Sequence, residues 1–212
     1  MFSIQQLSHA YHGSPVLNVA AWQAEQGAHW LMLGPSGSGK TTLLHVLAGI
    51  LRPTSGQVAV AGQDITALSP AALDRFRGRH IGIVLQRLHL IDSLSVMNNL
   101  LLAQYMAGEP QNAARVREVL ASLDVADKAR ARPHELSHGQ AQRVAVARAV
   151  VNNPKLLLAD EPTSNLDDTR CMQALDVLLT QARACGATLV IATHDHRIKA
   201  RVVNQFELGA AA

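Results

Sequence analysis

The clearest chemistry in this chain lies in Gly34-Pro35-Ser36-Gly37-Ser38-Gly39-Lys40-Thr41. These residues complete the pattern G-x-x-x-x-G-K-[ST]. The glycines free the backbone to turn its N–H groups inward, where they can cradle phosphate oxygens. A helix opening at the end of the loop adds the positive end of its dipole. Lys40 is expected to reach the β- and γ-phosphates of a nucleotide, and the Thr41 hydroxyl to ligate Mg²⁺. Thr42 closes the expected cradle. Average residue frequencies produce such a pattern by chance in roughly one chain in a hundred, and the strand before and helix after make chance rarer still.

A second group stands far along the chain. Residues 155–161 run Lys-Leu-Leu-Leu-Ala-Asp-Glu. An apolar strand that ends in Asp160 can bring a carboxylate to a Mg²⁺ ion. Glu161 follows at once and can polarise an attacking water as a general base. Alone, this segment is common; paired with the phosphate loop it is specific. His194 follows another apolar run, in Thr193-His194-Asp195. At the C-terminal end of a strand in an α/β sheet it would face ligand. There it could bond the γ-phosphate or the water.

The elements that must hold these groups alternate strand and helix, which predicts an α/β architecture with a largely parallel sheet. Strands are predicted at 29–33, 57–61, 81–85, 155–159 and 187–192, with a further one at 202–208. Gly56 and Gly62 read as turn residues around the second. A helix is predicted over 40–51, ended by Gly49 and Pro53. Ser69-Pro70 reads as an N-cap followed by proline at the first helical position, opening a helix to Arg77. From 94 to 150 no convincing strand interrupts. Val116, Val119, Leu120 and Leu123 share one helical face; so do Val144, Ala147, Arg148 and Val151. This stretch predicts a helical lobe inserted into the sheet. A last helix spans about 167–184, closed by Gly186.

Composition bounds the rest. The chain has 212 residues, 48% hydrophobic and 17% charged, enough to bury a core without staples. The net charge of +3 is ordinary for a surface, and no run of like charges suggests a nucleic-acid arm. Cys171 and Cys185 fit no metal motif and read as free thiols filling the core. The opening residues do not resemble a signal peptide, and no apolar run approaches bilayer length, so any membrane-spanning part is expected on another chain.

The segment Leu136-Ser137-His138-Gly139-Gln140 resembles the LSGGQ signature of the ABC ATPase family. Gln140 stands twenty residues before Asp160, and the motifs occur in the family's order along essentially the whole chain. The resemblance implies a P-loop NTPase: a RecA-like mixed, largely parallel sheet with an antiparallel β subdomain and an inserted helical signature lobe. It implies one domain over 1–212, with 1–86 and 151–212 as the core and 87–150 as the lobe. It further implies an ATPase that uses ATP and Mg²⁺. Tyr11 resembles the aromatic that stacks on adenine. Gln86 resembles the residue that senses Mg²⁺ and the γ-phosphate, with catalytic and metal roles. Ser164-Asn165-Leu166-Asp167 resembles the D-loop, which communicates across a dimer. Ser137, Gly139 and Gln140 would touch the ATP of the other protomer, with Ser137 capping a helix aimed at the γ-phosphate.

Two residues depart from the pattern. His138 replaces a glycine, which costs energy if the position needs a positive φ, or adds a donor to phosphate. Asn165 replaces the usual alanine. The stretch 81–108 resembles the lipoprotein-release, macrolide-export and cell-division branch, with 87–107 as the groove for a permease on a separate chain. Leu100, Leu101, Leu102, Tyr105 and Met106 supply apolar surface for it. The resemblance implies a homodimer bound to an integral membrane permease at the cytoplasmic side of the inner membrane, with no nucleic acid. Two alternatives stay open: a binding-only regulatory subunit, and a soluble ATPase acting on nucleic acid or the ribosome.

Overall fold

The structure, a computed structural model, describes residues 1–164 and 166–209. It contains two sheets. One is antiparallel, in the order β2-β1-β4-β5, from β1 (Phe2–Tyr11), β2 (Ser14–Ala24), β4 (Ser55–Val60) and β5 (Gln63–Asp64). The other is parallel at every pairing, in the order β6-β7-β8-β3-β9. Its strands are β3 (His29–Leu33), β6 (Ile81–Val84), β7 (Leu156–Asp160), β8 (Thr188–Thr193) and β9 (Asn204–Glu207). Helix α1 (Lys40–Leu47) follows β3, and α2 (Pro70–His80) precedes β6. Between β6 and β7 come α3 (Val96–Met106), α4 (Ala113–Ser122) and α5 (His138–Val150). Helix α6 (Asp168–Ala184) joins β7 to β8.

The parallel strands are apolar without alternation because both their faces are covered. Leu31, Leu157, Ala159, Leu189 and Ile191 pack with α3 to α6 in one core. Their neighbours Met32, Leu156, Leu158, Val190 and Ala192 pack with α1 and the antiparallel sheet in a second. The period of two thus survives in which core each side chain joins, though hydropathy hides it. Truncating a fully buried leucine such as Leu157 to alanine costs about 2–5 kcal/mol. That stiffness fixes the strand ends on which the chemistry stands.

Most expected elements are found, with shifted ends. Helix α1 stops at Leu47, not 51, because Gly49 takes a left-handed φ of 65°. Helix α2 runs three residues past Arg77 and has the expected Ser69 cap, whose side chain accepts from Ala72 N. Gly56 lies inside β4, not at a turn; the turn is Ala61-Gly62, both with positive φ. β1 and β2 had no reading from the residues themselves. Their alternation is broken by a register shift at His9/Ala10, which blurs the strand signal. Cys171 is buried and Cys185 partly so, and both are free thiols. Among the described residues, no helix is long and apolar enough to cross a membrane.

Candidate functional site

Parallel pairing puts the C-terminal ends of β6, β7, β8 and β3 along one edge. Asp160 pairs with Ala192, and Leu33 with Thr193, so the segments that follow these strands emerge side by side. From Leu33 the chain enters the glycine loop. Gly34 passes so close to its surroundings that an added Cβ would lie 2.5 Å from Ser38 Oγ and 2.7 Å from the Leu208 carbonyl. Gly39 ends the loop at φ 92°, and a Cβ there would lie 2.7 Å from Leu17 on β2. Only glycine fits either position.

Helices α2 to α6 each carry a side-chain N-cap, from Ser69, Ser95, Asn112, Ser137 and Asp167. α1 has none. Its first N–H groups are therefore left for a ligand, at the helix end where the dipole favours an anion. Lys40, the first residue of α1, is 7% exposed. Its Nζ donates to the carbonyls of Gly34 (2.8 Å) and Pro35 (3.1 Å), so its own loop holds the ammonium. Ser38 is buried, and its Oγ has no hydrogen-bond partner. Ser36 and Gly37 form the exposed outer part of the loop, Thr41 is exposed, and Thr42 is half-buried.

Asp160 is buried and its Oδ1 has no hydrogen-bond partner. Burial pushes its carboxyl above the usual range; a hydrogen bond from Thr41 opposes this, Glu161 adds to it, and His45 and Lys40 oppose it. An orphaned buried carboxylate oxygen is costly unless a cation or ordered water completes it. With Thr41 as second oxygen donor, this is hard-ligand chemistry that fits Mg²⁺.

Glu161 leaves β7 at φ 46°, left-handed for a residue with a Cβ. Such conformations cost of order 1–3 kcal/mol and persist where the surroundings enforce them. Here its N–H still donates to the Ala192 carbonyl at 2.8 Å, continuing the strand pairing, while the turn swings the side chain over the strand ends. The carboxylate meets three groups. Thr193 Oγ1 donates to Oε2 at 3.0 Å, His194 Nδ1 lies 2.8 Å from Oε1, and Lys40 Nζ lies 3.8 Å away. The structure thus brings together Lys40, Thr41, Asp160, Glu161 and His194. Thr193 is a donor the sequence reading passed over, although it stands in the quoted Thr-His-Asp.

Other expected residues lie further out. Gln86 is exposed, two residues beyond β6, on the same edge of the sheet. Tyr11, 43% exposed, ends β1 opposite Ser14, close to the point where Val16 and Leu17 touch Gly39. Its ring stands edge-to-face with buried His9, centroids 4.7 Å apart. His9 was not singled out; only the two-residue spacing from Tyr11 could have marked it.

Ser137, Gly139 and Gln140 do not join the phosphate loop within this chain. They open α5, where Ser137 Oγ accepts from Gln140 N and Gln140 Oε1 accepts from Ser137 N. Gln140 is therefore half committed to the cap. Ser137 and Gly139 line a cleft of about 340 Å³ between α5 and α6, with Leu166 and Arg170. His138 is the first residue of α5 and is absent from the positive-φ positions, which removes the expected backbone cost of replacing glycine. Asp167 caps α6 through Arg170 N (2.9 Å). Asn165 lies outside the described residues. Of the five apolar residues expected on the docking groove, Leu100 is fully buried and belongs to the core, whereas Tyr105 and Met106 are 67% and 65% exposed.

Residues 17–164 match the family model described as ABC transporter. The chain is 39% identical over 201 residues to the lipoprotein-releasing system ATP-binding protein LolD of Chromohalobacter salexigens, covering 92% of this chain and 85% of that one. It is 40% identical over 186 residues to the macrolide export ATP-binding/permease protein MacB of Rhodopseudomonas palustris, covering 88% of this chain but 28% of that longer protein. A solved dimeric ATP-binding cassette in a post-hydrolysis state, bound to ADP and Pi, superposes with a TM-score of 0.89 at 28% identity, over 100% of this chain and 97% of that one.

Proposed function

The chain belongs to the ABC transporter family as an ATP-binding, ATP-hydrolysing subunit, and from that premise we propose how its residues do the work. The uncapped end of α1 and residues Gly34 to Thr42 hold the nucleotide phosphates. Tyr11 stacks on the adenine. Thr41 and Asp160, with Gln86, would hold Mg²⁺, which when bound would offset the charge of the nucleotide phosphates. Glu161 takes a proton from the attacking water, and His194 orients the same water and the γ-phosphate. The observation that carries this reading is Asp160, buried at the foot of the uncapped helix with an oxygen no protein group satisfies.

The pairing around Glu161 supports an order of events. Lys40 and His194 both engage this carboxylate. Phosphate oxygens compete for Lys40, and their charge draws the ammonium toward them. Glu161 is then released from one cationic partner while Thr193 keeps it oriented toward the water. Catalysis here is mainly positioning and charge stabilisation.

The second half of each site comes from a second copy of the chain. Ser137, Gly139 and Gln140 face outward and reach no phosphate in their own protomer, which fits contact across a two-site dimer. Helix-compatible geometry at His138 favours a working site over a binding-only one. A permease on a separate chain receives the motion, docking on residues 87–107 where Tyr105 and Met106 are exposed. The complex sits at the cytoplasmic face of the inner membrane. The likeness to lipoprotein-release and macrolide-export proteins supports export or extraction of a lipid, lipoprotein, peptide or drug.

Asp160→Asn tests this reading by two measurements. Burial raises the pKa of this carboxyl, so its charged form costs stability; the neutral amide removes that cost. The nucleotide-free variant should melt a few degrees higher than wild type, ~1 kcal/mol being worth about 2–4 °C at this size. Mg²⁺-dependent phosphate release should fall by at least about 10²-fold. A lower melting point together with retained turnover would contradict the assignment. Tyr11→Ala should raise the KM for ATP about tenfold, the loss of one base–aromatic stack of roughly 1–3 kcal/mol, with kcat changed little. An unaltered KM would remove Tyr11 from the adenine site.

A further inference from the structure

Beyond the catalytic groups, one polar network runs from Glu161 to the start of α6. Thr193 Oγ1, which donates to Glu161 Oε2, accepts from Asp195 N at 3.0 Å. The Asp195 carboxylate receives both sides of the Arg197 guanidinium, Nε to Oδ1 at 2.9 Å and Nη2 to Oδ2 at 2.7 Å. Thr163 Oγ1 (3.0 Å) and Cys171 Sγ (3.5 Å) also donate to Oδ2. The third nitrogen of Arg197 turns the other way. Its Nη1 donates to the Leu166 carbonyl (3.1 Å) and to Asp168 Oδ1 (2.7 Å). The guanidinium therefore spans two segments: the turn after β8, which carries His194, and the start of α6, which follows the turn after β7.

The planar fork makes this bridge directional. A guanidinium that grips one carboxylate with two nitrogens fixes the direction of its third, which a lysine cannot do. The Arg197 guanidinium holds the Asp195 carboxyl well below the usual range, so the grip stays charged throughout the working pH range. The far end of the bridge lies at the surface. Leu166 lines the cleft that Ser137 and Gly139 also line, and the Asp168 side chain is 88% exposed.

We propose that Arg197 is a positioning residue that ties residues 166–168 to the histidine turn, so that seating those residues against the second copy sets the orientation of His194 and Glu161. The proposal rests on the reading of Glu161 and His194 as the hydrolytic pair and of 166–168 as a dimer contact. It adds a connection within one protomer between the contact surface and the carboxylate. Displacing Leu166 or Asp168 moves Arg197, and Arg197 carries Asp195 and Thr193 with it.

The test is steady-state hydrolysis by the full chain with MgATP, comparing wild type, Arg197→Ala, Arg197→Lys, Asp168→Asn and the Arg197→Ala/Asp168→Asn double variant. Arg197→Ala should lower kcat by about tenfold or more, as misplacement of reacting groups does, while KM for ATP changes less than about twofold. Arg197→Lys should recover little, having charge without the fork. Asp168→Asn should lower kcat in the same direction by a smaller factor, and the double variant should be no slower than Arg197→Ala alone, because both act on one bridge. Wild-type kcat in Arg197→Ala overturns the proposal, as do effects of the two substitutions that multiply. If Arg197→Ala does not fold, Asp168→Asn decides alone, and unchanged kcat there overturns it. A wild-type chain without MgATP hydrolysis would fail the underlying reading and this one with it. Loss of turnover in Glu161→Gln but not in Arg197→Ala would fail this one only.

Discussion

Glu161→Gln is expected to lower kcat for ATP hydrolysis by about 10²–10⁴-fold, the range that a general base contributes, while leaving ATP binding intact. The amide keeps the shape of the side chain and can still accept from Thr193. It cannot take a proton, and it no longer offers charge to His194 or Lys40. The backbone supports this local effect, because the left-handed turn at 161 is held by the bond from its N–H to the Ala192 carbonyl and not by the side chain. Fold and nucleotide affinity should therefore survive. Phosphate release beside binding of a fluorescent ATP analogue checks both. Loss of binding as well as turnover would make Glu161 a structural group.

Lys40→Ala should act differently, lowering kcat/KM by about 10²–10³-fold and weakening binding itself. Removing one charge-assisted contact to a transferring phosphoryl group in a shielded site costs about 2.7–4 kcal/mol. Lys40 is already desolvated at 7% exposure and held by the Gly34 and Pro35 carbonyls, so little reorganisation is needed when phosphate arrives. Its loss also leaves the Gly34 carbonyl without its side-chain donor and removes a cation from beside Glu161, and stability without nucleotide should fall. Titration calorimetry with ATP, beside steady-state kinetics, separates the two effects. Hydrolysis at the wild-type rate would remove the phosphate loop from the mechanism.

Much of this site can be read in the sequence because its logic is local. Gly34 to Thr41, Asp160-Glu161 and His194 each follow an apolar strand, and parallel pairing brings strand ends together without further information. The parallel strands and the helices between them were legible for the same reason. What was not legible depends on tertiary geometry. The strands β1 and β2 are interrupted by a bulge, so alternation fails just where Tyr11 must be placed. Leu100 looked like surface because hydropathy cannot tell a core face from a docking face. The strain feared at His138 required knowing that the position is helical. Arg197 is invisible in pattern, since Leu166 and Asp168 lie far from it in the chain and only the fold brings them within reach.

Two copies of the chain are expected to close on two nucleotides, each supplying Ser137 and Gly139 to the other. The most direct measurement is the mass of purified Glu161→Gln by light scattering, with and without MgATP, beside the same variant carrying His138→Gly. A monomer is expected without nucleotide and a doubled mass with MgATP, whether residue 138 is histidine or glycine. A chain that stays monomeric with saturating MgATP in both forms, at high concentration, would contradict it.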